Sequence, residues 1–264
     1  IMCNSYISNT SLSDLIINSL YKNGIKYACI SPGSRNTPLT KSFLEFKKIK
    51  CISLIDERSA AYFGLGIAKK NNVPVAILTT SGTATANLFP AVIESSMSMM
   101  PLIIITADRP KYLLNTGENQ TINQKNIYGS YTRSSLDINH KRPLSALKKI
   151  DKTFNTKGPN GPIHLNIRID EPLIDKESKI VSYAPKKYKY KRKKIGITLP
   201  LFKKPLIICG GLSSNESNQI LALAEKIDSP IFADILSNMR HLKSNRIKVY
   251  YDHYIKNLKI KPDF

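Results

Sequence analysis

Short apolar runs alternate along the first 170 positions with stretches whose apolar residues recur at helical spacing. Leu12, Leu15, Ile16 and Leu20 share one helical face, Thr10-Ser11-Leu12-Ser13-Asp14 offers an N-cap with an acidic first turn, and Gly24 offers a stop. Strands are predicted at Tyr27–Ile30, Cys51–Ile55, Val75–Thr79 and Leu102–Thr106, with weaker ones near Thr132–Leu136 and Ile163–Ile167. Helices are predicted between them near 38–48, 57–70, 83–97, 119–128 and 142–155. This alternation predicts an α/β fold, a parallel six-stranded sheet with helices on both faces.

The periodicity stops near Asp170, so residues 1–175 are read as the first domain and 176–200 as a basic linker. A second α/β unit is read at 201–264: a strand at Pro205–Cys209, a turn at Gly210-Gly211, a helix at Ser217–Ile227 and a strand at Ile231–Ala233. Two strands bury too little apolar surface to stand alone. The expectation is therefore a fragment of a longer chain. The first residue, Ile1 rather than Met, agrees with a clipped front end.

At 264 residues and 42% apolar, the composition is globular and not disordered. A net charge of +21 suggests a polyanion partner, and the Lys186–Lys194 run supplies much of it. Lysine, however, far outnumbers arginine, whereas phosphate and base readout favours the arginine fork. The run is read as a solvated linker, and no nucleic-acid partner is expected. No apolar run nears the roughly 20 residues of a membrane helix. The N-terminus lacks a signal peptide's basic flank and apolar stretch. A soluble, cytoplasmic protein without a membrane partner is expected. Cys3, Cys29, Cys51 and Cys209, with His140, His164, His241 and His253, show no ligand spacing, so no metal site is expected from them.

In open parallel sheets, ligands bind beyond the carboxyl ends of the strands. Four such ends are informative. Ser31-Pro32-Gly33-Ser34-Arg35-Asn36 follows the first strand; it is either an ordinary turn into the next helix or a loop in which Ser34 and Arg35 hold a carboxylate or phosphate. Asp56-Glu57-Arg58 follows the second; Glu57 either joins a helix cap and a surface ion pair with Arg58 or is a functional carboxylate at a helix start. Thr80-Ser81-Gly82-Thr83-Ala84-Thr85-Ala86-Asn87 follows the third, with small residues that admit a ligand or backbone closely. It is neither a Walker loop nor a Gly-x-Gly-x-x-Gly fingerprint. Ala107-Asp108-Arg109-Pro110 follows the fourth, with Asn119-Gln120 shortly beyond, together one cation and two amides suited to a polar acid.

The ordered set SPGSR, DERSA, TTSGTATANLFPAVIES, ADRP, GENQTINQ and GPIHLNI closely resembles the pyrimidine-binding domain of the thiamine-diphosphate enzymes. Within that superfamily it resembles the SEPHCHC synthase (MenD) family of menaquinone biosynthesis. The resemblance covers about residues 10–175 well and continues more loosely through Pro205–Arg240. It implies a transferase that decarboxylates 2-oxoglutarate on thiamine diphosphate and adds the resulting succinyl unit to isochorismate. It also implies that Glu57 hydrogen-bonds the aminopyrimidine ring nitrogen of the cofactor and stabilises its imino tautomer. Ser34, Arg35, Arg109, Asn119 and Gln120 are implied as isochorismate contacts. Ser81, Gly82, Thr83 and Asn87 are implied beside the cofactor, and a homodimer or dimer of dimers is implied as the assembly. An acetolactate-synthase-like enzyme is the alternative, but a small neutral acceptor would not need Arg35 and Arg109. The family's Gly-Asp-Gly motif, which holds Mg²⁺ and through it the diphosphate, does not occur here. The resemblance therefore implies either a fragment or a split enzyme whose other half is a separate chain, with the metal and 2-oxoglutarate ligands expected in a further, diphosphate-binding domain outside this chain.

Overall fold

The computed structural model describes residues 7–139, 143–156, 161–174, 196, 201–212, 214–257 and 262. The chain divides into two compact units, residues 1–192 and 193–264. In the first, the order is α1 (Asn9–Lys22), β1 (Tyr27–Ile30), α2 (Thr37–Glu45), β2 (Lys50–Ser53), α3 (Glu57–Asn71), β3 (Val75–Thr79), α4 (Thr83–Asn87), α5 (Phe89–Met97), β4 (Leu102–Asp108), β5 (Ser134–Ile138), α6 (Pro143–Thr156) and β6 (Ile163–Arg168). All six strands are parallel, in the order β2-β1-β3-β4-β6-β5. The predicted six-stranded α/β sheet is present.

Alternation of side chains along the strands sorts two apolar layers. Ile103 and Ile105 of β4 and Leu165 and Ile167 of β6 pack with Leu15, Ile16 and Leu20 of α1, Leu39 and Phe43 of α2, and Leu147 and Ile150 of α6. On the opposite face Cys29, Val75, Ile77, Leu102 and Ile104 pack with Ala60, Ala61 and Leu65 of α3 and Ala91 and Val92 of α5. Helices thus cover both faces, which is what lets a parallel sheet exclude water.

Ser8, not Thr10, caps α1, its Oγ accepting from Ser11 N at 3.1 Å. The stretch predicted as one helix over 83–97 is two, α4 and α5, separated at Leu88 just before Phe89-Pro90. No helix forms over 119–128. Gln120 and Asn126 adopt left-handed backbone angles (φ 57° and 58°), which an α-helix cannot contain. The segment instead lies across the sheet, with Gln124 and Tyr128 fully buried. Tyr128 Oη donates to Thr85 O at 2.7 Å, and its ring meets Phe89 and His164 edge-on. Tertiary satisfaction of these two side chains outweighs the local helical pattern.

Under this cover the sheet carries a polar seam. β4 and β6 pair Thr106 with Asn166 and Asp108 with Arg168. Thr106 Oγ1 donates to Asn166 Oδ1 at 2.9 Å and so accepts from His164 Nε2 at 2.8 Å, leaving His164 Nδ1 to accept from Ser135 Oγ at 3.3 Å. That places the imidazole proton on Nε2.

In the second unit β7 (Ile207–Cys209), β8 (Ile231–Ala233) and β9 (Ile247–Lys248) form a parallel sheet in that order, with α7 (Ser214–Lys226) and α8 (Tyr251–Tyr254). Its core is Cys209, Ala224, Ile231, Ala233 and Met239. The third strand was not predicted; two residues, one of them Lys248, make no pattern that periodicity can detect. The predicted linker 176–200 lies, apart from Gly196, outside the described residues, and the Lys186–Lys194 run lies wholly outside them. Among the described residues no helix is long and apolar enough to cross a membrane.

Burial pushes His164 down to about 4, so the folded chain keeps it neutral. An unfolded chain protonates its histidines below about 6.5. Stability from this residue is therefore complete above pH 6.5 and is lost as the pH falls toward 4. Replacing His164→Gln is expected to flatten that decline, measured as the urea midpoint at pH 7 against pH 4.5; equal declines in both proteins would refute it.

Candidate active site

The carboxyl ends of β1, β2, β3 and β4 carry the four loops singled out above, and the tertiary structure sorts their residues into two groups. In the first group, the loops after β1 and β3 touch. A Cβ on Gly33 would lie 2.5 Å from Thr80 Cβ and 2.7 Å from Thr80 Cγ2, so only glycine lets them meet. Asn36 Nδ2 donates to Ser31 O at 2.8 Å and draws the 31–36 loop into a tight turn. This sets Arg35 in the fold. Its Nη1 donates to Ile169 O at 3.3 Å, and its Nη2 pairs with Glu171 Oε1 at 3.2 Å. Arg35 is almost wholly buried, whereas Glu171 is exposed.

Arg109 joins the same group from the end of β4. Its Nη1 donates to Ser81 Oγ and, at 3.0 Å, to Gln120 O. Its Nε is buried and has no partner among the described residues. Burial, and next the like charge of Arg35, lower the Arg109 pKa; Glu118, Asp108 and Glu171 act the other way. Gln120 Nε2 reaches Ser81 O at 3.4 Å, and the left-handed backbone at Gln120 brings its carbonyl beside Gly82. Two guanidinium groups and an amide therefore converge at one end of the sheet, an arrangement suited to an acid carrying two carboxylates. Ser34 and Asn119, expected in this group, sit in the same two loops but are exposed, with no side-chain hydrogen bond among the described residues.

The second group is Glu57 and the start of the 83–87 helix. Asp56, not Glu57, caps α3, accepting from Ser59 N at 2.7 Å. Glu57 is half-buried and accepts from Asn87 Nδ2 at 3.0 Å through Oε2. Among the described residues it has no ion partner, so the surface pair with Arg58, one of the two readings of this position, does not form. Thr83, exposed, opens α4 directly after Gly82. The structure thus brings Ser81, Gln120, Arg35 and Arg109 together, and Glu57 with Asn87, without a contact between Glu57 and the arginines.

Several residues that shape the site were not singled out by sequence reasoning. Gln124 is fully buried: Oε1 accepts from Gly82 N at 2.8 Å, and Nε2 donates to Ala107 O and Asn166 Oδ1, each at 3.0 Å. Asp108, Asn166 and Arg168 complete a buried network below it. Arg168 ends a strand at the same edge of the sheet, and that position was its only sequence signal. Among the described residues no group of three His, Cys, Asp or Glu could hold a metal ion.

Residues 10–127 match the family model of the thiamine pyrophosphate enzyme N-terminal TPP binding domain. The chain is 38% identical to the 2-succinyl-5-enolpyruvyl-6-hydroxy-3-cyclohexene-1-carboxylate synthase of Dechloromonas aromatica, over 88% of this chain and 46% of that protein. It is 37% identical to the enzyme of the same name from Lactococcus lactis, over 94% of this chain and 47% of that protein. For Staphylococcus haemolyticus the values are 38%, 93% and 47%. The chain spans about half the length of the curated relatives it matches.

Gly33→Ala is expected to push the 31–36 loop off Thr80 at a cost of about 1–3 kcal/mol. The urea midpoint should fall accordingly, and the Gly33→Ala/Thr80→Gly double variant should recover most of the loss. A single variant as stable as the parent would show that the two loops can part freely.

Proposed function

We propose that this chain supplies the pyrimidine side of a SEPHCHC synthase site, a reading supported by the match of residues 10–127 to the family model of the thiamine pyrophosphate enzyme N-terminal TPP binding domain. The reaction joins 2-oxoglutarate, which loses carbon dioxide, to isochorismate, giving 2-succinyl-5-enolpyruvyl-6-hydroxy-3-cyclohexene-1-carboxylate. The observation that carries the reading is Arg109: a buried guanidinium, beside a second arginine, with Nε left without a partner among the described residues. A buried cation demands an anion, and a dicarboxylate acceptor supplies one to each arginine. The relatives that cover most of the chain bear the name of this synthase.

Glu57 fits the cofactor. It lies half-buried at the start of α3, and among the described residues only Oε2 is engaged, leaving Oε1 to share a proton with a ring nitrogen. Asn87 fixes the rotamer of the carboxylate, and Ser81, Gly82 and Thr83 line the approach between the third strand and α4. Thiamine diphosphate, when bound, supplies the electron sink for the pair released on decarboxylation. Glu57 holds the proton that lets the aminopyrimidine work as a base. Arg35 and Arg109, with Gln120, Ser34 and Asn119, bind and orient isochorismate. Mg²⁺ and the diphosphate are assigned to ligands outside the described residues. A second copy of the chain is part of the proposal, its contact surface drawn from the exposed Tyr62 and Phe63 of α3 and Met97 of α5.

In the full-length protein with both substrates, Mg²⁺ and thiamine diphosphate, Glu57→Gln is expected to lower kcat by at least about 10²-fold. Full activity in that variant would remove Glu57 from the mechanism. Arg35→Ala is expected to raise the KM for isochorismate by about tenfold or more with a smaller change in the KM for 2-oxoglutarate. No change in the isochorismate KM would favour a smaller, neutral acceptor.

A further inference from the structure

The main chain of Arg109 is gripped from both sides. Its N–H donates to Asp108 Oδ1 at 2.8 Å, and its carbonyl accepts from Arg168 Nη1, also at 2.8 Å. The same Arg168 nitrogen lies 3.1 Å from Asp108 Oδ2, so one ion pair holds both peptide groups of one residue. Arg168 is itself steered from its other edge, where Nε donates to Asp137 Oδ1 at 2.9 Å and Oδ2 at 3.2 Å. Asn166 Nδ2 bridges Asp108 Oδ2 and Asp137 Oδ1 at 2.8 and 3.0 Å. Asp108 is completely buried and the Arg168 side chain is 4% exposed.

A buried ion pair is a poor way to gain stability, because desolvation cancels most of the attraction and an apolar pair does as well. It is a good way to fix direction, because a planar guanidinium bonds only at set angles. The pair sits where direction matters. Arg109 has a long, flexible side chain whose reach is set by the orientation of its own peptide groups and by Ser81 and Gln120 at its tip.

We propose that Arg168 is a positioning residue for Arg109: together with Asp108 it orients the main chain from which the Arg109 guanidinium meets a substrate carboxylate. This rests on the reading of Arg109 as the acid-binding arginine. Arg168→Lys keeps the charge but cannot bond Asp137, Asp108 and the Arg109 carbonyl at once.

The test is calorimetric titration of isochorismate into the full-length protein without thiamine diphosphate, where no turnover occurs, alongside steady-state kinetics of the loaded enzyme. Arg168→Lys should weaken isochorismate binding about tenfold and raise its KM in parallel, with the KM for 2-oxoglutarate unchanged and kcat within about threefold. If the parent binds isochorismate and Arg168→Lys binds it equally well, the positioning role is overturned while the acid-binding reading stands. If the parent and Arg109→Ala bind it alike, the acid-binding reading itself falls. Should Arg168→Lys fail to fold, judged by its urea midpoint, Asp137→Asn weakens the outer grip on Arg168 while leaving Asp108 and the Arg109 carbonyl in place. It should weaken binding about threefold, and unchanged binding there would equally overturn the proposal.

Discussion

Everything at the carboxyl edge of the first sheet depends on the register between β4 and β6, which sets Thr106 against Asn166 and Asp108 against Arg168. Because side chains alternate along a strand, a shift of β6 by one residue would turn Asn166 and Arg168 into the apolar layer beneath α1, α2 and α6 and bring Ile167 to the polar side. The apolar layer therefore enforces the polar one. Once the register is set, the seam from Ser135 through His164, Thr106 and Asn166 reaches Gln124, and Gln124 holds Gly82. A strand pairing deep in the sheet is thus tied by side-chain hydrogen bonds to the loop at its rim.

That rim concentrates positive charge at a cost. Arg35 and Arg109 are both buried, and the charge of Arg35 adds to burial in disfavouring the ionisation of Arg109. The fold answers the two differently. Arg35 has a carboxylate, Glu171, and a carbonyl, whereas Arg109 has a hydroxyl and a carbonyl and keeps Nε unpaired. An arginine satisfied only by neutral groups is left with charge to share, and in this Arg109 differs from Arg35, which Glu171 pairs, and from Arg168, which two aspartates flank. Buried polar groups carry a cost when unpaired, and this asymmetry is the observation on which the proposed anion site rests.

The two groups of the site also divide the labour. Glu57 stands on β2's side of the sheet at the start of α3, with Asn87. The arginines stand around the ends of β1 and β4. Between them runs the small-residue turn after β3, where Gly33 and Gly82 allow main chains to approach closely. Such an edge can present a proton-sharing carboxylate and an anion grip to different parts of a ligand without bringing opposite charges into contact.

The order of strands and helices was legible in the sequence because each element buries one face, and burial imposes the alternation that periodicity detects: β1 and β3 have the predicted limits, and β4 begins where expected. The placement of Glu57, Arg35 and Arg109 just beyond strand ends was legible too, because the motifs follow the predicted strands in order. The path of residues 119–131 was not. Its helical pattern is local, whereas the bonds of Gln124 to Gly82, Ala107 and Asn166, and of Tyr128 to Thr85, join positions about 17 to 43 residues apart along the chain and carry no periodic signature. For the same reason the Asp108–Arg168 pair beneath Arg109 could not be read from spacing: only the pairing of β4 with β6 brings those two charges to 3.1 Å.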